Sequence, residues 1–281
     1  MSEEMKRRHK YHAEAHAYSG DFRLPLSRHI PPQAYVDLHS NGGYRSQTTG
    51  EFHVENVMSY RSAQTQVGGN KDTKPGHGWS TIVTSVIEGL NIMNVVTADR
   101  IVSQIGTEFP LEGYVPSVTF IGTRYENFRI WDEPVEIEMD FDLLGPKPAK
   151  DLHYNVESGF ISRVCQHYER VLKAPGIPDK IAARYNRLPT VEENRESIEC
   201  SLVKRVGGVF RGCAYGNVID VPDFGTIELA TVSVAQSDPH SECGTPQETL
   251  IELAMLKLDM GCVVDGSGSG GTTKTNGRTY P

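Results

Sequence analysis

The chain has 281 residues, 38% of them hydrophobic and 23% charged, with a formal net charge of −8, values that allow a sizeable core and argue against global disorder. The acidic balance works against nucleic acid as a partner, because it repels phosphates over most of the surface. Apolar runs such as Ile92 to Val96 fall far short of the roughly 20 residues that cross a bilayer as a helix, so no membrane association is expected.

Residues 1–20 are rich in Glu, Lys, Arg, Ala and His, which predicts a polar helical N-terminal appendage. Residues 21–76 are dense in Pro, Gly, Asn, Thr and Ser and predict a loop-rich N-terminal arm with short extended pieces. A single β-rich domain is expected over 77–264. It opens with the β-branched series Thr81, Ile82, Val83, Thr84, Val86 and Ile87, continued by Ile92 to Val96 after Gly89, which predicts a strand with a bulge or hairpin. Ala98, Ile101, Val102 and Ile105 then fall at helical spacing between Thr97 and Gly106, predicting a short amphipathic helix.

Val115 to Ile130 and Val135 to Leu143 read as strands joined by a turn at 131–134. In the second, Val135, Ile137, Met139, Phe141 and Leu143 share one face, and Glu136, Glu138, Asp140 and Asp142 the other, so one side is buried and the other acidic. A helical insertion at 158–186 follows from the 3.6 period of Phe160, Ile161, Val164, Cys165, Tyr168, Val171 and Leu172, and from Pro178 at the start of a second helix. Strands return at 197–206, 217–221 and 226–236, the last two joined around Pro222 to Gly225. Residues 248–264 predict a final strand, and residues 265–281 a flexible Gly/Ser/Thr-rich tail. The fold class is mainly β with a few short helices, as an antiparallel sandwich or barrel.

The candidate chemistry is sparse. His9, His12 and His16 lie at i, i+3 and i+7, which on a helix lines three imidazoles along one face where Zn²⁺ could bind. No fourth ligand is fixed beside them, so no metal and no cofactor are assigned. Gly266, Gly268 and Gly271 match a dinucleotide-binding spacing, but the helix and the acidic residue that such a site needs do not follow. His77 and Trp79, flanked by Gly76 and Gly78, could line a pocket together with Asp99 and Arg124, the indole stacking on a ligand and the imidazole moving a proton. A sharp turn whose Trp closes the core explains the same residues. The acidic row at 136–142 spaces its carboxylates about 7 Å apart, too far for one Ca²⁺. Five cysteines, at 165, 200, 213, 243 and 262, form no Cys-x-x-Cys pair, and no apolar run follows the charged start to act as a secretion signal. The expected location is therefore cytoplasmic.

Three readings follow. The first is a non-enzymatic structural or binding protein that self-associates as a homo-oligomer, its arm and tail reaching across subunits. The alternative is an enzyme or small-ligand-binding barrel with a pocket near His77 and Trp79. The third is an accessory protein that binds metal or nucleic acid through its N-terminal His and basic residues.

Overall fold

Period-two alternation dominates the structure, a computed structural model that describes residues 7–24, 27–71, 77–149, 152–186, 189, 197–236, 248–261 and 265–280. Strands make up 61% of it and helix 11%, so the protein is mainly β. Four strands open the chain: β1 (Arg8–Lys10), β2 (Ala13–Leu24), β3 (Arg28–Gln33) and β4 (Val36–Asp37). The next ten build one sheet: β5 (Gly43–Thr49), β6 (Phe52–Val54), β7 (Met58–Tyr60), β8 (Ser62–Lys71), β9 (His77–Ile92), β10 (Val96–Pro110), β11 (Ser117–Thr119), β12 (Arg124–Glu126), β13 (Arg129–Ile130) and β14 (Glu133–Pro134). After β15 (Glu136–Met139) come helices α1 (Ser158–Leu172) and α2 (Asp179–Tyr185). The chain then returns to strands: β16 (Ser197–Ser201), β17 (Val203–Gly207), β18 (Cys213–Tyr215), β19 (Val218–Val221), β20 (Gly225–Gln236), β21 (Thr249–Gly261), β22 (Asp265–Thr275) and β23 (Arg278–Tyr280).

The first sheet is organised on the long β9–β10 hairpin, which turns at Met93 and Asn94, both with positive φ. Strands β7 and β8 pair with the far side of β9, and β11, β12 and β13 with the far side of β10. The second sheet runs β18-β19-β20-β21-β22-β2-β3, with β16 also beside β20 and β4 beside β2. Among the described residues all the pairings are antiparallel, and no sheet closes into a barrel. The two large sheets pack face to face, β2 and β22 lying over β9. Their shared core includes Tyr18, Ile87, Ile101, Ile105, Met255 and Leu256, all essentially inaccessible. Buried hydroxyls also cross this interface: Ser103 Oγ meets Thr273 Oγ1 at 2.7 Å, and Ser85 Oγ donates to the His16 carbonyl at 3.0 Å. Each such pair satisfies groups that would be costly to bury alone.

Several sequence expectations are corrected here. The polar helix expected within residues 1–20 is extended over its described part, as β1 and most of β2. The first half of β2 buries Ala13, Ala15 and Ala17, with the half-buried Glu14 and His16 between them, so a helix-favouring composition carries a strand alternation. The arm expected over 21–76 contributes β3 to β8 to the sheets. The short helix expected around 98–105 is part of β10, whose inward positions Ser103 and Thr107 are polar and conceal the period of two. The expected 115–130 and 135–143 pair is broken up: β13 and β14 form a tight hairpin through Trp131 and Asp132, and β15 pairs with β17 instead. The tail expected over 265–281 is β22 and β23. Strand β22 pairs along its length with β2 on one side and β21 on the other. The helices at 158–186 and the strands at 217–221 and 226–236 stand as expected, β21 covers most of 248–264, and the stretch at 197–206 is extended but divided at Leu202 into β16, beside β20, and β17, beside β15.

Because β22 fills the gap between two long strands, it is expected to be indispensable. Deleting residues 265–281 should yield an unfolded or insoluble chain, whereas a dispensable tail would leave the far-ultraviolet spectrum and melting temperature unchanged.

Candidate functional site

Helix α1 starts where the Glu157 carboxylate accepts from the backbone N–H groups of Gly159 (3.0 Å) and Phe160 (2.6 Å), a side-chain cap that satisfies otherwise orphaned donors. Its buried stripe is Phe160, Ile161, Val164, His167, Tyr168 and Val171, so an imidazole takes a position that helical periodicity reserves for the core. With α2, this face covers a cavity of about 350 Å³ lined by His167, Tyr168, Arg184, Tyr185, Glu199, Cys200, Asn217, Glu228, Thr231 and Lys257. Glu228 and Thr231 are an odd number of positions apart, and in a regular strand they would face opposite sides. At Ala230, whose φ is +43° and which is left out of an otherwise unshifted β20–β21 register together with Met255 opposite, the alternation of β20 changes face, and Glu228 and Thr231 both line the cavity. The strained residue is held from the other sheet: the Tyr125 hydroxyl accepts from Ala230 N at 2.9 Å and donates to the Met255 carbonyl.

The polar groups of the cavity form two systems. In the first, Asn217 is clamped to the backbone, its Nδ2 donating to the Leu229 carbonyl at 3.4 Å while Leu229 N donates to the Asn217 carbonyl at 2.9 Å. Its Oδ1 therefore serves as the acceptor for Tyr185 OH at 2.9 Å and His167 Nε2 at 3.1 Å. That arrangement fixes the imidazole as the Nε2–H tautomer. Burial pushes the His167 pKa down to about 4, against a smaller upward pull from the Asn217 bond, so the ring is neutral at neutral pH. In the second system Arg184 pairs with Glu228, and Lys257 Nζ with Glu199 at 3.1 Å. Burial acts to lower the Arg184 pKa, but the hydrogen bond and charge of Glu228 outweigh it and the net shift is upward. Burial raises the Cys200 thiol, which donates to the Val232 carbonyl at 3.5 Å and so is not poised as a nucleophile. The charges cancel within the walls, leaving an array of fixed donors and acceptors.

The residues singled out from the sequence lie elsewhere. Trp79 is buried at 6% exposure and stacks on His9, ring centroids 5.4 Å apart, beside Phe109, its cross-strand neighbour. The Lys71 ammonium sits 5.8 Å from the indole centroid. This aromatic cluster belongs to a second, smaller core, and the side chain of His77 lies outside the described residues. Asp99 accepts from Asn127 Nδ2 at 2.6 Å, and Arg124 pairs with Glu126 at 2.7 Å and lies opposite Val102. At about 3.3 Å per residue these positions are about 33 and 23 Å along β10 from Phe109, so the structure does not bring Asp99 and Arg124 to Trp79.

His9, His12 and His16 are likewise separated by their strand setting. Burial pushes the His9 pKa down to about 4, and its Nδ1 contacts Thr279 Oγ1 at 3.1 Å. His12 meets Asn276 and Glu14, and His16 meets Ser19. Among the described residues no group of three His, Cys, Asp or Glu is placed to hold a metal ion. On the acidic row, Glu138 is paired with Lys204 at 2.7 Å and Arg205 at 3.3 Å, and the Lys204 hydrogen bond leads in lowering its pKa.

Residues 9–235 match a family described as a domain of unknown function, DUF8256. The chain belongs to that family. The match takes in every cavity residue except Lys257, which stands on β21 beyond its end. No curated protein and no solved structure matches the chain.

The site sets two expectations. As pH falls below 6.5 the unfolded chain protonates His167, while the native site stays neutral down to about pH 4. Stability should therefore drop across that window, by on the order of 3 kcal/mol from this group. Melting curves from pH 7.5 to 4.5 should show a shallower decline for His167→Gln than for wild type; superimposable profiles contradict the assignment. Tyr125→Phe removes the acceptor for Ala230 N–H and the donor to Met255, and should cost about 1–3 kcal/mol in urea unfolding, against no change if the conformation at Ala230 is self-sufficient.

Proposed function

We propose that the protein binds a small, uncharged, hydrogen-bonding molecule, such as a sugar or polyol, in the cavity beneath α1 and α2. The observation that carries this reading is the convergence of Arg184, Glu228, Lys257, Glu199, Asn217, Tyr185 and a neutral His167 on one cavity of about 350 Å³. That volume is within the range of small-ligand sites. Paired carboxylates and cations present fixed acceptors and donors that a polyhydroxylated ligand can satisfy together. A net anion or cation would have to break one of the two ion pairs to gain a partner, at a desolvation cost. The ligand site thus lies apart from Trp79, and the chemistry is recognition.

A thermal-shift panel of sugars, polyols, amino acids and organic acids tests this, run on wild type and on the double variant Arg184→Met with Glu228→Leu. Arg184 is partly exposed in this pair and Glu228 largely buried, and removing both partners of a half-buried ion pair together costs little stability, so the variant should stay folded. Wild type should be protected by neutral polyhydroxyl compounds, and the variant should lose that protection. Protection by organic acids alone, or protection that survives in the double variant, contradicts the reading.

A further inference from the structure

His167 stands between two hollows. Besides the cavity beneath α1 and α2, it lines a separate recess of about 190 Å³, walled by α1, β17, β18 and the turn after β18, whose other ionisable lining is Arg170, Lys204 and Arg205. No carboxylate lines it, in a chain with 36 acidic and 28 basic residues. Arg170 is exposed and follows His167 at i+3, on the same face of α1. Its Nε makes a long bond, 3.4 Å, to the Gln166 carbonyl, and among the described residues no carboxylate pairs with it. Lys204 and Arg205 share one partner, Glu138 of β15, which Arg205 meets through Nε and Lys204 through one of the three N–H groups of its ammonium. Asp140 acts on Lys204 as a further charge. Three cations against these two carboxylates leave the recess positive, with the Nη groups of both arginines turned to no carboxylate among the described residues.

The imidazole narrows the choice of anion. His167 is only 4% exposed, and its Nε2–H is committed to Asn217 Oδ1. Nδ1 is therefore a lone-pair acceptor, and it makes no hydrogen bond among the described residues. The turn after β18 closes on the ring because Gly216 has no side chain: a Cβ there would stand 3.4 Å from His167 Cε1 and would collide with Val171. A buried acceptor beside guanidinium groups suits an anion that still carries a proton. We propose that this recess binds hydrogen phosphate as the free ion, its negative oxygens on Arg170, Lys204 and Arg205 and its P–OH donating to His167 Nδ1. Charge-assisted bonds from a guanidinium to phosphate are among the stronger ones, and the planar fork of arginine matches the spacing of phosphate oxygens. The recess is about half the volume of the neighbouring cavity, which suits an ion of five heavy atoms. Sulfate has the same shape and charge but no proton, and a phosphate monoester loses its second proton near pH ~6. Either would set an acceptor against Nδ1 and leave both unsatisfied. The site stands whatever occupies the larger cavity, although His167 belongs to both.

Isothermal titration calorimetry on the full chain tests this at about pH 8, where orthophosphate keeps one proton and a monoester keeps none. The titrants are phosphate, sulfate and glycerol 2-phosphate at constant ionic strength, and the proteins are wild type, Arg170→Gln and Lys173→Gln. Lys173 pairs with Glu169 at the end of α1, outside the recess, so its substitution removes an equal charge from the same helix. Both positions are exposed, and circular dichroism confirms that both variants are folded. Wild type should bind one phosphate per chain, with sulfate and the ester at least tenfold weaker. Arg170→Gln should weaken phosphate binding at least tenfold, and Lys173→Gln should leave it within about twofold. No phosphate binding up to about 10 mM, sulfate or the ester within tenfold of phosphate, a loss under tenfold in Arg170→Gln, or a loss beyond twofold in Lys173→Gln each overturns the proposal.

Discussion

Tyr18 is wholly buried against the glycine-rich half of β22, where Gly266, Gly268, Gly270 and Gly271 carry no side chain. It lies opposite Gly270 across the β2–β22 pairing, and its ring passes over Gly268, where a Cβ would sit 3.0 Å from Cζ and closer still to the hydroxyl. The bare backbone of β22 is thus the space in which the Tyr18 ring packs, and a large side chain there would have to displace it. The consequence reaches across the molecule. Because β22 accepts the ring, β2 can pair with it on one side while β21 pairs on the other, and the beginning and end of the described chain become neighbours inside one sheet. The arm expected over 21–76 contributes β3 to β8, and the tail expected over 265–281 contributes β22 and β23, to the chain's own sheets.

The same sheet carries the cavity. With β21 fixed beside β22, Lys257 is placed to reach Glu199, and β20 beside β21 presents Glu228 to Arg184 of α2. The left-handed residue Ala230 joins the two layers of the fold to this site, because the hydroxyl that holds it belongs to Tyr125 of the opposite sheet. Strain kept where a polar cavity is built, and relieved from outside it, is a common property of functional positions. The two surfaces of the molecule also treat charge in opposite ways. The helix-covered side concentrates ionisable groups and neutralises them in pairs, whereas the β5, β8 and β9 positions from Tyr44, Gly68 and Ile82 to Thr48, Gln64 and Val86 carry none on the outer face of the first sheet.

The fold class was legible because enough strands alternate plainly, and α1 because its apolar stripe is continuous. What misled was composition. Ala and Glu in β2 favour a helix in isolation, but packing of Ala13, Ala15 and Ala17 between the sheets overrides that preference. Ser85, Ser103 and Thr107 occupy inward positions as buried hydroxyls, which breaks the apolar period in β9 and β10. The glycines and serines of β22 have the composition of a linker, and only the position of Tyr18 more than 240 residues earlier makes them a strand. The cavity was harder still. Its residues come from two helices, three strands and the turn between β18 and β19, spread from His167 to Lys257, with no short motif to join them. The one local signal was His167, a polar residue on the buried stripe of α1.

The central claim is that the glycine-rich C-terminal segment is an interior strand of the second sheet. Amide hydrogen exchange on the intact protein measures this directly, since protection reports the free energy of opening each backbone hydrogen bond. The account predicts that amides within residues 266–274 exchange among the slowest in the chain, alongside those of β20 and β21. Exchange there at the rate of an unstructured peptide, with β20 and β21 still protected, would contradict it.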